Sequence, residues 1–393
     1  MDTPRTFEEF LDLWYRREIG MNGLLRKADD PYLVARTDYF DPKYSAMIEA
    51  WAVRAETAYR LFPKTTYMEK GDSIKYIPAD PYVYSTVNTL RAVTETTALF
   101  ASVDTDVPDV SDINYIEPGY VDLPWKVSMQ AQLKAGWTAK PNFTPELLRK
   151  YNMERYVHLL DYQLLQTVDT LSTNKPDSLD RIISCKAEDD ASWIDAGDCD
   201  LWQTQTSKSI DRSSATTWDA QVDLPATEEN RALTLEMIDD IMAAAKRYGS
   251  GNYIALTNDD TINTIQKLID PKGRILHGQN EVEFTQDGVV TRRGHGAGRI
   301  PVASLITNGL TIPVFSDPNV AVPVSGGAGN LYFIDLDHIE LRVSLPISYF
   351  HTDMGNDYLR MDYTQIFHDI LFGGNLIADR FNCHAAIKYI AKG

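Results

Sequence analysis

The sequence predicts an α+β fold, with helices and strands gathered into separate runs along the chain. Asn142-Phe143-Thr144-Pro145-Glu146 opens a long periodic helix, and strand-like alternation precedes it at Asp72–Pro78 and Trp125–Leu133. A helix–strand–helix run then extends from Thr234 to Pro271 and gives way to strand formers up to the C-terminus. The length of 393 residues exceeds what one hydrophobic core usually holds, and it predicts roughly two or three packed units.

The first sixty-odd residues read as short helices that cannot form a core alone. Phe7, Phe10, Leu11 and Trp14 recur at helical spacing until Gly20 and Gly23 end the segment. A second helix lies between Pro42 and Pro63, with Ala46, Ala50, Val53 and Ala58 among its small apolar positions. Trp14, Tyr15, Tyr39, Phe40, Tyr44 and Trp51 are many large aromatics for so little chain. They require a partner surface, either elsewhere in the chain or on a neighbouring copy.

From Thr65 to about Thr138 the pattern changes. Asp72-Ser73-Ile74-Lys75-Tyr76-Ile77-Pro78 and Trp125-Lys126-Val127-Ser128-Met129-Gln130-Ala131-Gln132-Leu133 alternate polar and apolar like half-buried strands. Between them lies a stretch rich in Asp, Thr and Pro, including Asp104-Thr105-Asp106-Val107-Pro108-Asp109. Two antiparallel strands with a long excursion between them are expected. Loops of that length inside a domain are usually functional, and an enzyme lid and an intersubunit clasp both fit.

The strongest helix follows. Thr144 is its expected N-cap, Pro145 its first residue, and Glu146 an early carboxylate at the positive end of the dipole. Val157, Leu160, Leu164, Val168 and Leu171 form its apolar stripe before Asn174-Lys175-Pro176 stops it. From Pro145 to Leu171 it would run roughly 40 Å at 1.5 Å per residue, long enough to act as a structural spine.

Residues 176–230 carry Trp193, Trp202 and Trp218 with few clear periods, and read as loops and short strands. An α/β unit begins near Thr234, where Leu235, Ile238, Met242 and Ala245 form a stripe that Gly249 is expected to cap. Asn252–Thr257 reads as a strand. Asp259 then caps a helix carrying Ile262, Ile265 and Leu268, which stops at Pro271. Leu310–Phe315 and Leu331–Ile334 are further strands, separated by the turn Ser325-Gly326-Gly327-Ala328-Gly329. Strand formers dominate from Ile339 to Ile390, and no internal repeat of solenoid length occurs.

Composition narrows the function classes. Apolar residues make up 44% and charged residues 24%, as in an ordinary folded protein. The formal net charge of −18 is spread along the chain and repels nucleic acid, which disfavours sequence-reading of DNA. A container wall is another matter, since it must not adhere strongly to packed phosphate. Cys185, Cys199 and Cys383 have no CxxC spacing and read as thiols in a reducing compartment. The polar start Met1-Asp2-Thr3-Pro4-Arg5 is unlike a signal peptide, and no apolar run approaches membrane-spanning length. A soluble protein made in the cytoplasm, with no membrane partner, is expected.

No catalytic, cofactor-binding or metal-ligating constellation emerges, so the site expectation is none in each class. Gly294-His295-Gly296-Ala297-Gly298 lacks phosphate-loop spacing, and with Arg292, Arg293 and Arg299 around it reads as a mobile basic loop. The histidines at 158, 277, 295, 338, 351, 368 and 384 form no HExxH pair. His351 and Asp353 could meet one metal from a strand, but a third ligand is not evident. Asp104, Asp106 and Asp109, like Asp195, Asp198 and Asp200, lack the glycine and distal glutamate of a calcium loop. No GxSxG elbow occurs, and Asn142-Phe143-Thr144, a glycosylation sequon in form, is accounted for by helix capping. Carboxylate pairs stay open, because their separation cannot be read from sequence.

This order of elements resembles the major capsid proteins of tailed viruses, which have the Hong Kong 97-type fold. Pro124-Trp125-Lys126-Val127-Ser128-Met129-Gln130-Ala131, leading to Thr144-Pro145-Glu146-Leu147-Leu148, looks like the family's returning loop strand entering its spine helix. Gly309-Leu310-Thr311-Ile312-Pro313-Val314-Phe315-Ser316-Asp317-Pro318 resembles the central strand of its axial domain, and Ala385-Ala386-Ile387-Lys388-Tyr389-Ile390 its last peripheral strand. The resemblance implies an N-terminal arm at 1–64 and an extension loop at 65–138. It further implies a peripheral domain at 139–230 with spine helix 145–171, an α/β axial domain at 231–338, and return strands of the peripheral domain at 339–393. Little chain precedes the arm, so a large cleaved scaffolding segment is not expected. Some relatives join a loop lysine to an asparagine of the next subunit; Lys64, Lys70 and Lys75 lie near this loop, but no crosslinking residue is carried over.

The implied function is self-assembly through pentamers and hexamers into an icosahedral shell around a double-stranded DNA genome, without catalysis and without cofactors. The implied partners are copies of the chain itself, then scaffolding, portal and decoration proteins, and packaged DNA held without sequence specificity. Its place would be the virion capsid, assembled in the host cytoplasm. Alternatives are an encapsulin-like nanocompartment that packages a cargo enzyme, and a soluble hydrolase using an acidic pair with the long loop as its lid.

Overall fold

The computed structural model describes residues 42–54, 58–66, 73–76, 112–115, 119–128, 145–166, 175–191, 219–269, 275–285, 288–293, 300–322, 326–351 and 365–393. The N-terminal half contributes helix α1 (Pro42–Arg54), a 3-10 turn (Ala58–Arg60), and strands β1 (Lys64–Thr66), β2 (Ser73–Tyr76), β3 (Asp112–Tyr115) and β4 (Gly119–Ser128). Helices α2 (Pro145–Leu165), α3 (Leu179–Ile182) and α4 (Lys186–Asp189) follow, then β5 (Gln221–Asp223), α5 (Leu235–Lys246), β6 (Tyr253–Thr257) and α6 (Asp259–Ile269). The rest is β7 (Ile275–Thr285), β8 (Gly288–Arg293), β9 (Ile300–Thr307), β10 (Leu310–Ser316), β11 (Gly327–Asp335), β12 (Ile339–His351), β13 (Gln365–Ala378) and β14 (Ala385–Ala391).

These strands form a four-stranded sheet, order β1-β12-β13-β4, an eight-stranded sheet, order β5-β14-β11-β6-β10-β9-β7-β8, and the separate ribbon β2-β3. In the small sheet β12 and β13 run antiparallel from Ile339↔Ala378 to His351↔His368, and β4 adds antiparallel along β13 from Gly374↔Gly119 to Gln365↔Ser128. Gly374 permits this close pairing, because a Cβ there would lie 2.6 Å from the Arg342 carbonyl oxygen.

Helices α1 and α2 pack on this sheet. The buried face of α1 is Ser45, Ile48, Glu49 and Ala52, at helical spacing, with Ser45 Oγ accepting from Tyr349 N–H at 2.9 Å. Tyr156, Val157, Leu160 and Leu164 line the inner face of α2, and Tyr156 Oη donates to the Val121 carbonyl at 2.9 Å. Each apolar side chain so buried contributes about 1.5–3 kcal/mol.

The large sheet is covered on both faces, as alternation along β6 shows. Ile254 and Leu256 join the core that holds α2 and the small sheet, while Tyr253 and Ala255 join a second core with Ile238, Met242 and Ala245 of α5. α5 starts where expected: Thr234 Oγ1 accepts from Met237 N–H at 3.2 Å. β6 and β10 are parallel, with α6 on the crossover side of the chain between them.

Several expectations need correction. α2 is described as Pro145–Leu165, short of the expected Leu171; Val168 and Leu171 lie outside the described residues, and Gln166, whose N–H still donates to the Tyr162 carbonyl, places its Nε2 on the Asn319 carbonyl at 2.5 Å. The strand at Ser73–Tyr76 pairs with β3, not with the strand around Trp125, which belongs to the small sheet. The cap of α6 is Asn258, whose Oδ1 accepts from Thr261 N–H at 2.9 Å, while Asp259 sits in the first turn and binds Ser316 Oγ. Gly249 is needed for space, since a Cβ would lie 1.9 Å from Tyr253 Oη. β14, expected beside β12 and β13, pairs with β11 in the large sheet instead.

Candidate functional site

The seam where α2, the 3-10 turn and the loop after β10 meet holds a buried carboxyl pair. Asp161 falls on the inner face of α2 one residue after Leu160, and Asp317 follows the last residue of β10; both are fully buried. Asp161 accepts from Tyr59 N–H at 3.2 Å and from Asn319 Nδ2 at 2.7 Å. Asp317 accepts from Ala58 N–H at 2.7 Å and from Asn319 N–H at 2.8 Å. Burial raises the pKa of Asp161 well above its ordinary range, and the neighbouring Asp317 charge adds to this. Asp317 is raised as well, by burial.

A second cluster ties α3 and α4 to the large sheet. Lys388 Nζ on β14 lies 2.8 Å from Asp180 Oδ1 and 2.6 Å from Glu188 Oε1. Tyr332 Oη donates to Asp180 at 2.8 Å, and Ser184 Oγ and Cys185 N–H donate to Glu188. Burial alone would lower the Lys388 pKa, yet the two carboxylates hold it well above the ordinary lysine range. Beside the first cluster, Glu49 accepts from Tyr59 Oη at 2.6 Å, and Lys64 Nζ lies 4.5 Å from the Tyr59 ring centroid. Glu49 is raised by burial, against the Tyr59 hydrogen bond and the Lys64 charge.

These clusters do not resemble a reaction centre. A hydrolytic carboxyl pair must flank a substrate and admit water, and Asp161 and Asp317 expose nothing while their oxygens are taken by N–H groups of the chain. The arrangement positions backbone: it fixes the 3-10 turn against α2 and the β10 loop.

The residues singled out from sequence scatter. Gly294–Gly298, Asp104, Asp106, Asp109, Asp195, Asp198, Asp200, Asp353, Cys199, Lys70 and the 1–41 aromatics lie outside the described residues. His158 is exposed on α2; His338 Nδ1 pairs with Asp379 at 2.9 Å, and His368 Nδ1 is 2.7 Å from Tyr349 Oη. His384 is fully buried, accepts at Nδ1 from Asp335 N–H at 3.2 Å, and is pushed down by burial to about 4. Cys185 and Cys383 are buried free thiols. Among the described residues no group of three or more His, Cys, Asp or Glu could hold a metal ion, and no helix is long and apolar enough to cross a membrane.

The outward face of α2 carries Tyr151, Arg155, His158 and Tyr162 at helical spacing, with Tyr151 63% exposed. Met47 on α1 and Tyr120 on β4 are other large exposed apolar side chains. Tyrosine, methionine and arginine are the types enriched where proteins meet proteins. In the sequence the 151-155-158-162 spacing displays this outward stripe, which polar and aromatic types mark less plainly than the apolar residues of the inward one.

Among solved structures the chain is similar to a chain of the cyanophage A-1(L) capsid asymmetric unit, at 14% identity and a TM-score of 0.51, covering 86% of this chain and 92% of that one. It is also similar to the capsid of a native GTA particle, at 10% identity and a TM-score of 0.47, covering 86% and 90%. A third similarity is to the holo-SrpI encapsulin complex from Synechococcus elongatus PCC 7942, at 9% identity and a TM-score of 0.44, covering 86% and 89%. No protein-family model and no curated protein matches the sequence. By fold, then, the chain is an α+β protein of the architecture seen in that capsid chain. Its α+β arrangement is that of the Hong Kong 97-type capsid fold, as the sequence resemblance implied.

Proposed function

We propose that the chain is the major capsid protein of a tailed virus, which self-assembles through pentamers and hexamers into an icosahedral shell enclosing double-stranded DNA. The observation that carries this reading is fold likeness over almost the whole of a chain that is itself a capsid subunit, 92% of its length. In this reading α2 is the spine, the small sheet with α1 and α2 forms the peripheral unit, and the large sheet with α5 and α6 forms the axial unit. The ribbon β2-β3 belongs to the extension loop of 65–138, and the arm of 1–64 serves contacts between copies.

The chemistry agrees with a structural role. The buried carboxyls and the Lys388 cluster brace the joint between the units instead of facing a substrate. A net charge of −18 keeps the wall from gripping packed phosphate. Arm and loop contribute little to a single chain but bury area between copies, and obligate interfaces commonly exceed about 2,000 Å². Portal, scaffolding and decoration proteins are the further partners of such a shell, which forms in the host cytoplasm and ends in the virion.

The contents of purified particles test this. Nuclease-protected double-stranded DNA inside them supports the viral reading. Particles filled with a single protein cargo and free of DNA overturn it in favour of an encapsulin-like compartment.

A further inference from the structure

Asp161 and Asp317 come from different elements, α2 on one side of the seam and the loop after β10 on the other; both are fully buried, and Asn319 bridges them, its backbone N–H donating to Asp317 at 2.8 Å and its Nδ2 to Asp161 at 2.7 Å. Two fully buried carboxyls held side by side in this way repel each other when both are ionised, so the arrangement favours a proton on one of them. Four N–H groups, from Ala58, Tyr59, and the backbone and side chain of Asn319, already point at the pair. These donors, with Arg60 on the Asp317 side, can support one buried negative charge, but a second beside it would lie away from water and next to a like charge.

We propose that Asp161 and Asp317 share a single proton and act as a latch across the seam, closed while the proton is held and released when it is lost. The charged groups around it are few. Arg60, on the 3-10 turn, favours the ionised form of Asp317. From the same turn Tyr59 Oη reaches Glu49 of α1, with Lys64 over its ring, and Asp259 of α6 binds Ser316 next to Asp317. Burial holds both carboxyls above their ordinary range, so the proton remains well above the pH at which an exposed carboxyl loses it. The sign follows by linkage: a folded pKa above the unfolded one gives stability that is full at acid pH and falls as pH rises through the folded value. On release, two adjacent negative charges drive α2 and the β10 loop apart and free the turn that Asp161 and Asp317 hold jointly. The latch belongs to the single chain and does not depend on whether that chain builds shells.

Thermal unfolding of the purified full chain from pH 6 to pH 10 tests it, with Asp161→Asn and Asp317→Asn as variants. An amide at either position bonds the remaining carboxylate without needing a proton. The wild-type midpoint should therefore fall more steeply with rising pH than that of either variant. Equal slopes in all three proteins overturn the latch. The wild type alone gives a second readout: a protonated-carboxyl C=O band in its infrared spectrum at pH 6, where exposed carboxyls are ionised, lost on unfolding, is expected, and its absence overturns the proposal even if the variants do not fold.

Discussion

Lys388 on β14 meets Glu188 of α4 at 2.6 Å, with 5% and 3% of the two side chains exposed. Together with Asp180, this contact joins a strand of the large sheet to the short helices that follow α2. Lys388→Ala leaves the buried Glu188 charge and its partly buried neighbour Asp180 without their cation, and removing one partner of such a cluster costs about 3–5 kcal/mol. Urea denaturation should show this loss, and Lys388→Met with Glu188→Gln should be less destabilised than Lys388→Ala alone. A loss for Lys388→Ala no greater than that of a surface lysine would contradict the bracing role.

Gly249 marks a second tight point. Its Cβ would lie 1.9 Å from Tyr253 Oη and 2.6 Å from Asp335 Oδ2, the atom that accepts from Ser250 N–H at 2.6 Å. Gly249→Ala should cost about 1–3 kcal/mol by overpacking. Tyr253→Phe, which removes the hydroxyl, should recover part of that loss. Denaturation midpoints of the two single variants and the double variant check this through their coupling.

Acid pH should act through His384. Burial holds the ring neutral down to about 4, whereas an unfolded histidine protonates near 6.5. Stability is therefore full above about pH 6.5 and is lost as pH falls towards 4, by on the order of 3 kcal/mol from this residue. The opposite shift at His338, raised by its Asp379 hydrogen bond, works against it. Denaturant unfolding at pH 7 and pH 4.5 should give a smaller difference for His384→Gln than for the wild type. The same difference in both would assign acid lability elsewhere.

Legibility followed locality. Thr234, Pro145, the stripe of α5 and the strands β6, β10 and β11 could be read because cap, period and alternation lie within a few neighbouring residues. β4 begins six residues before Trp125, but Asp122 and Pro124 give that stretch the look of a loop; its place beside β13 depends on pairing with residues 365–374. β14 reads as a strand, yet only β11 decides which sheet it joins. The inner face of α1 was hidden because Ser45 and Glu49, polar types, occupy buried positions. Asp161 is hidden for the same reason, and its partners Asn319 and Tyr59 are distant in sequence.

The ribbon suggests a clean excision. Tyr76 and Asp112 are register partners at the open end of β2-β3, so a two-residue Asn-Gly turn can replace residues 77–111 without disturbing the pairing. The shortened chain should still unfold cooperatively while failing to close shells. Normal shells from it would contradict the clasp role of that segment.

Electron microscopy of the purified protein at neutral pH, alongside its sedimentation, tests shell assembly most directly. Uniform closed shells, or ring-shaped capsomers with rotational symmetry, are expected. A discrete monomer that never assembles, even with a scaffold or crowding agent, would contradict the capsid function.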